Sequence, residues 1–187
     1  MSTGEEVTSP TDRDLVVLVD PEDRDVGVEH KIIAHSGPGL LHRAVSVCLF
    51  DTTGAVLLQR RAPTKYHFGG LWSNACCTHP MPGEAPAEAA ARRVREELEV
   101  ASPDLVPCGS FTYRADDPQS AFAEWELDHV FAGVLTDDPE PDPAEIAELR
   151  WFDCDAADLA PFCGAMFTPW LAAVLRTALP RVDPSAG

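Results

Sequence analysis

Lysine is nearly missing from this chain. Only Lys31 and Lys65 occur among fourteen basic residues, set against 31 acidic ones, for a formal net charge of −17 over 187 residues. A surface of that sign repels nucleic acid and anionic membranes, and this excludes both as partners. No apolar run reaches the roughly 18 residues that a membrane-crossing helix needs, and no basic start followed by an apolar segment marks export. A cytoplasmic protein in a reducing compartment is the expectation. Internal repeats and low-complexity linkers are also absent. The chain, 45% hydrophobic, therefore reads as one domain over 14–182, with a disordered tail at 1–13 and a short tail at 183–187. Six cysteines at irregular spacing in a chain of this length do not make a disulfide-stapled miniprotein. Cys48, Cys108, Cys154 and Cys163 read as small buried hydrophobes.

What is present is a succession of strand and helix patterns. Residues 15–19 read as a strand, Asp20-Pro21-Glu22-Asp23 as a turn and 27–34 as a second extended piece. Residues 40–50 are rich in β-branched and aromatic side chains, and Asp51-Thr52-Thr53-Gly54 turns them into a strand over 55–60. Pro86 opens a helix over 87–98, in which Ala90, Val94 and Leu98 form an apolar stripe at i, i+4, i+8. Strands follow at 105–114 and 122–135, then a Pro/Asp/Glu-rich loop at 137–143 and a short strand at 149–152. A closing helix spans 168–179, with Thr168 as its N-cap and Pro169 at its first position. A mixed sheet with a few helices results, an α+β or layered α/β/α fold.

The chemistry concentrates around Leu71-Trp-Ser-Asn-Ala-Cys-Cys-Thr-His-Pro80. In an extended segment residues i and i+2 share a side, so Cys77 and His79 face one pocket and Cys76 faces away. His35 and His42 lie near the end of one strand and the start of the next. Glu124 and Glu126 share one face of a predicted strand, flanked by Phe122, Leu127, Val130 and Phe131, which argues against full solvation. Three imidazoles with two carboxylates would make a mixed N/O site suited to Mn²⁺, Mg²⁺ or Zn²⁺ rather than to a thiolate-rich structural zinc site.

The helix carries a second pattern. Glu84, Arg92, Val94, Glu96, Glu97 and Val100 fit six positions of the Nudix signature G-x5-E-x7-R-E-U-x-E-E-x-G-U, in which U is bulky aliphatic. Thr78, Arg93 and Glu99 depart from it, standing at its first Gly, the Glu after its Arg and its last Gly. Further segments add to the pattern: Lys31-Ile-Ile-Ala-His35, Leu41-His42-Arg43-Ala44, Gln59-Arg60-Arg61-Ala62, Lys65-Tyr66-His67-Phe68, Tyr113-Arg114-Ala115, Glu124-Trp125-Glu126 and Phe167-Thr168-Pro169-Trp170. With them the chain resembles type I isopentenyl-diphosphate isomerases, a divergent branch of the Nudix superfamily, from about residue 15 to 175.

The resemblance implies a Nudix-like α/β/α sandwich with a mixed sheet and a reaction in isoprenoid biosynthesis. That reaction moves the double bond of isopentenyl diphosphate to give dimethylallyl diphosphate, without hydrolysis. It implies His35, His42, His79, Glu124 and Glu126 as ligands of one divalent ion. Cys77 and Glu126 would be the acid–base pair, with Tyr113 relaying a proton to or from Glu126. Glu97 and the carbonyl of Cys77 would hold a Mg²⁺ that arrives with the substrate diphosphate. Lys31, Arg61, Lys65 and Arg93 would grip the diphosphate, and Trp170, Tyr113 and Trp72 are aromatic candidates for facing a developing cation. Arg93 and Glu97, i and i+4 on one helix face, would present a cation and a metal ligand to the same phosphate. Family members often carry a Trp shortly before the Thr-Pro-Trp motif, where this chain has Gly164-Ala165-Met166. A Nudix-type diphosphate hydrolase is the alternative activity, and an acidic metal-storing module the non-enzymatic one. The expected oligomeric state is a monomer or a homodimer.

Overall fold

The computed structural model describes residues 11–155 and 157–181; of the expected tails, 1–10 and 183–187 lie outside the described residues. A 3₁₀ turn at Asp12–Asp14 opens the described chain. The strands are β1 (Leu15–Val19), β2 (Asp25–His30), β3 (His42–Phe50), β4 (Val56–Arg61), β5 (Trp72–Asn74), β6 (Cys76–Thr78), β7 (Val106–Asp116), β8 (Ala123–Val134) and β9 (Ile146–Phe152). The helices are α1 (Lys31–His35), α2 (Pro86–Leu98) and α3 (Leu171–Ala178).

β3 is the spine of the sheet. One edge runs parallel to β8 over its whole length, from His42 opposite Glu126 to Phe50 opposite Val134. The other edge meets three strands in turn: β1 at His42, β6 at Val45 to Val47, and β4 at Leu49 and Phe50. β7 continues the sheet beyond β8, β2 beyond β1, and β4 lies between β5 and β9. Alternation along β3 divides the core. Val45, Val47 and Leu49 pack with Ala90, Val94 and Leu98 of α2, while Cys48 and Phe50 pack with Leu171, Val174 and Leu175 of α3. The predicted apolar stripe of α2 is wholly buried, and the result is an α/β/α sandwich around a mixed sheet. No helix among the described residues is long and apolar enough to cross a membrane.

Three local expectations are corrected. Residues 31–34 are helical, not extended. Ile32 and Ile33 favour a strand by propensity, but the His30 ring accepts the Ile32 N–H, and His35 at the end of the turn is fully buried, so tertiary packing decides the conformation. The closing helix begins at Leu171 with Trp170 as its N-cap: the Trp170 carbonyl accepts the N–H groups of Ala173 (2.9 Å) and Val174 (3.0 Å), while the Thr168 hydroxyl is turned to Ser73 Oγ (3.1 Å). Cys163 is exposed and Cys154 half-buried, although Cys48 and Cys108 are buried as expected; all six cysteines are free thiols.

Candidate active site

The parallel β3–β8 pairing helps bring the candidate metal ligands together. His42 begins β3 directly opposite Glu126, Glu124 lies two residues earlier on the same face of β8, His79 follows β6, and α1 ends on His35. The donor atoms of His35, His42, His79, Glu124 and Glu126 all lie within 4.8 Å of one another. His35 Nδ1–H donates to the Lys31 carbonyl (2.6 Å) and His42 Nδ1–H to the Leu40 carbonyl (2.7 Å). Each ring therefore turns Nε2 inward, the arrangement that orients histidines toward a metal. The Nε2 atoms of His42 and His79 stand 3.2 Å apart, His79 Nε2 is 3.0 Å from Glu126 Oε1, and His35 Nε2 is 3.3 Å from Glu124 Oε2.

This donor set fits a divalent cation. Lone pairs converge with too few protons to separate them, and His35 Nε2 and Glu124 Oε2 are buried with no hydrogen-bond partner. Without a cation, a proton takes its place. Burial opposes a charge on His35, but Glu124 and Glu126 hold its imidazolium up to about 10, whereas burial pushes His79 down to about 4. Burial alone would raise Glu126; its hydrogen bonds with Glu124, His35, His42 and His79 hold it well below the usual carboxylate range.

Beside the cluster opens a cleft of about 500 Å³, lined among others by Cys77, Tyr113, Glu126, Trp170, Lys31, Arg61, Lys65 and Arg93. The Tyr113 hydroxyl donates to Glu126 Oε2 (2.7 Å), and its ring lies 5.7 Å from that of Trp170. Cys77 Sγ–H donates to Asn74 Oδ1 (3.3 Å), and Ser46 Oγ is 3.7 Å from the sulfur. Burial, with the Asp128 carboxylate nearby, pushes the thiol up to about 11, which keeps Cys77 a neutral thiol. Cys76, on the other side of the strand, is fully buried in the α2 core. Trp72 is not among the residues lining the cleft; its ring packs against Phe152 and under Arg150. Met166, in the segment where relatives of the resembled family often carry Trp, is exposed.

The basic residues differ in how free they are. Arg61 is buried, donates to the carbonyls of Phe68 (3.1 Å) and His67 (3.2 Å), and lies 5.7 Å from the Trp170 ring centroid. Lys31 Nζ pairs with Asp14 (3.1 Å). Arg93 Nη2 lies 2.5 Å from Glu97 Oε1 and 3.0 Å from Glu145 Oε2, and Lys65 Nζ also pairs with Glu145. Glu97 is buried and takes a bond from Gln59 Nε2 (3.3 Å).

Several contributors lie outside the sequence-predicted set. Asn74 holds Cys77 with an amide fixed by donation to the carbonyls of Cys76 (2.7 Å) and Val47 (3.2 Å). Ser73 Oγ accepts from Trp170 Nε1 (3.2 Å) and donates to Asn74 Oδ1 (3.1 Å), tying the closing segment to the thiol. Ser46 links Cys77 to the buried Asp128, donating to it at 2.7 Å. His67 Nε2 lies 2.6 Å from Glu124 Oε1, with Tyr66 stacked on its ring.

Comparison with known proteins agrees with this geometry. Residues 40–171 match the NUDIX domain. The isopentenyl-diphosphate Delta-isomerase of Streptomyces griseus is 46% identical over 178 residues, spanning 92% of this chain and 89% of that one. The enzyme of that name from Nocardia farcinica is 49% identical over 173 residues, spanning 92% and 98%. Among solved structures, a Deinococcus radiodurans protein superposes with a TM-score of 0.69 at 23% identity, covering 87% of this chain and 97% of that one. The NUDIX domain of Shewanella oneidensis NrtR gives 0.57 at 16% identity, covering 83% and 94%. With a NUDIX domain across most of its length and relatives this similar along nearly all of it, the chain belongs to the isopentenyl-diphosphate Delta-isomerase family.

Proposed function

We propose that this chain interconverts isopentenyl diphosphate and dimethylallyl diphosphate, with Cys77 and Glu126 as the proton-transfer pair. One observation carries the reading: a neutral thiol and a Tyr113-bound carboxylate line the same cleft as Arg61, Lys65 and Arg93. The reaction adds a proton to one carbon of an unactivated alkene and removes one from another, through a species with tertiary-carbocation character. An alkene is a very weak base, so the acid must be desolvated and close. Cys77 meets that need because burial keeps its proton in place and Asn74 fixes the sulfur. Glu126 comes from a different strand, and Tyr113 offers a proton path to its Oε2. Because the reaction is reversible, either member acts as the acid in one direction. Water that would trap the cation has to be kept from the reacting carbons, and the faces of Tyr113 and Trp170 favour positive charge.

His35, His42, His79, Glu124 and Glu126 would hold a divalent ion, Mn²⁺, Mg²⁺ or Zn²⁺, which when bound orients Glu126 and lowers its basicity. Glu97 would hold a Mg²⁺ entering with the diphosphate, together with the Cys77 carbonyl, while Lys31, Arg61, Lys65 and Arg93 grip the phosphate oxygens. Proton NMR of isopentenyl diphosphate in D₂O with enzyme and Mg²⁺ tests the reading. The dimethylallyl isomer should form with deuterium uptake, and Cys77→Ala and Glu126→Gln should each abolish it in a folded protein. Phosphate release without isomerisation would assign diphosphate hydrolysis instead. Wild-type turnover by Cys77→Ala would remove the thiol from the mechanism.

A further inference from the structure

Arg93 and Lys65, two of the residues read above as gripping the diphosphate, already hold an anion that belongs to the chain. Glu145 Oε2 lies 3.0 Å from Arg93 Nη2 and also pairs with Lys65 Nζ. Glu145 lines the same cleft as Cys77 and Glu126. Its backbone is anchored on both sides. Its carbonyl accepts the Ala62 N–H (2.8 Å), its own N–H donates to Asp142 O (3.0 Å), and the Asp142 N–H donates to the Glu97 carbonyl at the end of α2 (2.9 Å). The carboxylate is therefore delivered to the cations by a pinned segment between α2 and β4. Glu97 sits on the other side of Arg93, 2.5 Å from the same Nη2. An incoming phosphate oxygen meets cations whose charge two carboxylates already balance.

We propose that Glu145 is a built-in competitor for the substrate's phosphate, and that it sets the charge an anion must bring to enter the cleft. This rests on the reading of Arg93 and Lys65 as the diphosphate grip. A mononegative or dinegative group does not displace a pinned carboxylate from two cations at a favourable balance. A diphosphate does, because it can engage Arg61 and Lys31 as well. Once displaced, Glu145 faces the diphosphate with like charge, so a divalent cation must enter at the same time. Discrimination against monophosphates and the need for Mg²⁺ in binding then have one origin, in a residue that touches no reacting carbon.

Calorimetric titration of the full chain, its His/Glu ion retained, separates the possibilities. The probes are inorganic pyrophosphate and inorganic phosphate, each with and without added Mg²⁺. Glu145→Gln and Glu145→Ala should both tighten Mg²⁺-free pyrophosphate about ten-fold and phosphate by more than that, narrowing the gap between the two anions. Equal or weaker Mg²⁺-free binding in both variants overturns the proposal. Weaker binding confined to the Mg²⁺ titrations also overturns it, and makes Glu145 a ligand of the entering ion. Arg93→Gln tests the underlying reading separately. If it binds Mg²⁺-pyrophosphate as the wild type does, the grip itself is misassigned; if it binds more weakly while the Glu145 variants show no gain, only the competitor role fails.

Discussion

Tyr113→Phe removes one atom from the site and leaves its packing in place. The hydroxyl donates to Glu126 Oε2 at 2.7 Å, while the ring contacts with Trp170 and Phe111, both at 5.7 Å between centroids, do not depend on it. Glu126 Oε1 faces the imidazoles of His42 and His79, so Oε2 is the oxygen turned away from them and Tyr113 is its side-chain donor. A hydrogen bond to a charged acceptor contributes about 1.5–3 kcal/mol. If the proton path to Glu126 runs through that bond, its loss appears in the barrier, and at roughly 1.36 kcal/mol per decade turnover should fall about 10- to 150-fold. Substrate binding should change little, because the diphosphate grip is elsewhere. The NMR assay measures the rate directly, and thermal unfolding should move by only a few degrees, since about 1 kcal/mol corresponds to roughly 2–4 °C in a domain of this size. Turnover within two-fold of wild type, in a folded variant, would show that neither the path nor the orientation of Glu126 depends on Tyr113.

Glu99 ends α2 in the left-handed region (φ 52°, ψ 27°), at the position where the Nudix signature has Gly. A side chain there costs about 1 kcal/mol, so Glu99→Gly should raise the melting temperature by about 2–4 °C without altering catalysis; a loss of stability would refute the strain argument. His35 gives a pH test of the metal cluster. Its ion-free pKa is raised to about 10 from an ordinary 6.5, so its contribution to stability is complete below pH 6.5 and is lost as pH rises toward 10. A divalent ion replaces that proton and does not share the loss. Melting curves of ion-loaded and ion-stripped protein should diverge between pH 6.5 and 9, the loaded form gaining; a constant gap would mean that no ion binds at His35.

Much of the site is legible in the sequence because it follows from strand period. Cys77 and His79 on one side, Cys76 on the other, and Glu124 with Glu126 on one face all follow from alternation, and the structure keeps each of them. Alternation reaches Asp128 as readily, yet its meaning depends on Ser46, 82 residues earlier, which only the parallel β3–β8 pairing brings beside it. The helical turn at Lys31–His35 is hidden for a different reason: adjacent Ile32 and Ile33 favour extension, and the burial of His35 overrides them. Thr168 carries a capping signal, but its side chain is turned toward Ser73, 95 residues away in sequence. Glu145 follows an acidic loop without periodicity, so nothing local distinguishes it from its neighbours.

Arg93 connects these observations to the choice of chemistry. Glu96 Oε2, Glu97 Oε1 and Glu145 Oε2 lie 3.6, 2.5 and 3.0 Å from its guanidinium nitrogens. A glutamate in its place, as the Nudix signature has, would bring a fourth carboxylate into that cluster, and only added divalent ions could hold four together. Activating a water for attack on phosphorus is the work of such ions. Arginine instead supplies a fixed positive charge that cannot ionise water, and it leaves Glu97 as the ligand this helix would offer to a single ion. On the proposed reading, one substitution on α2 replaces a carboxylate of the signature with a fixed cation among three carboxylates, which favours binding an intact diphosphate over activating water. In the proposed reaction the protons move at Cys77, Tyr113 and Glu126, which line the same cleft as Arg93.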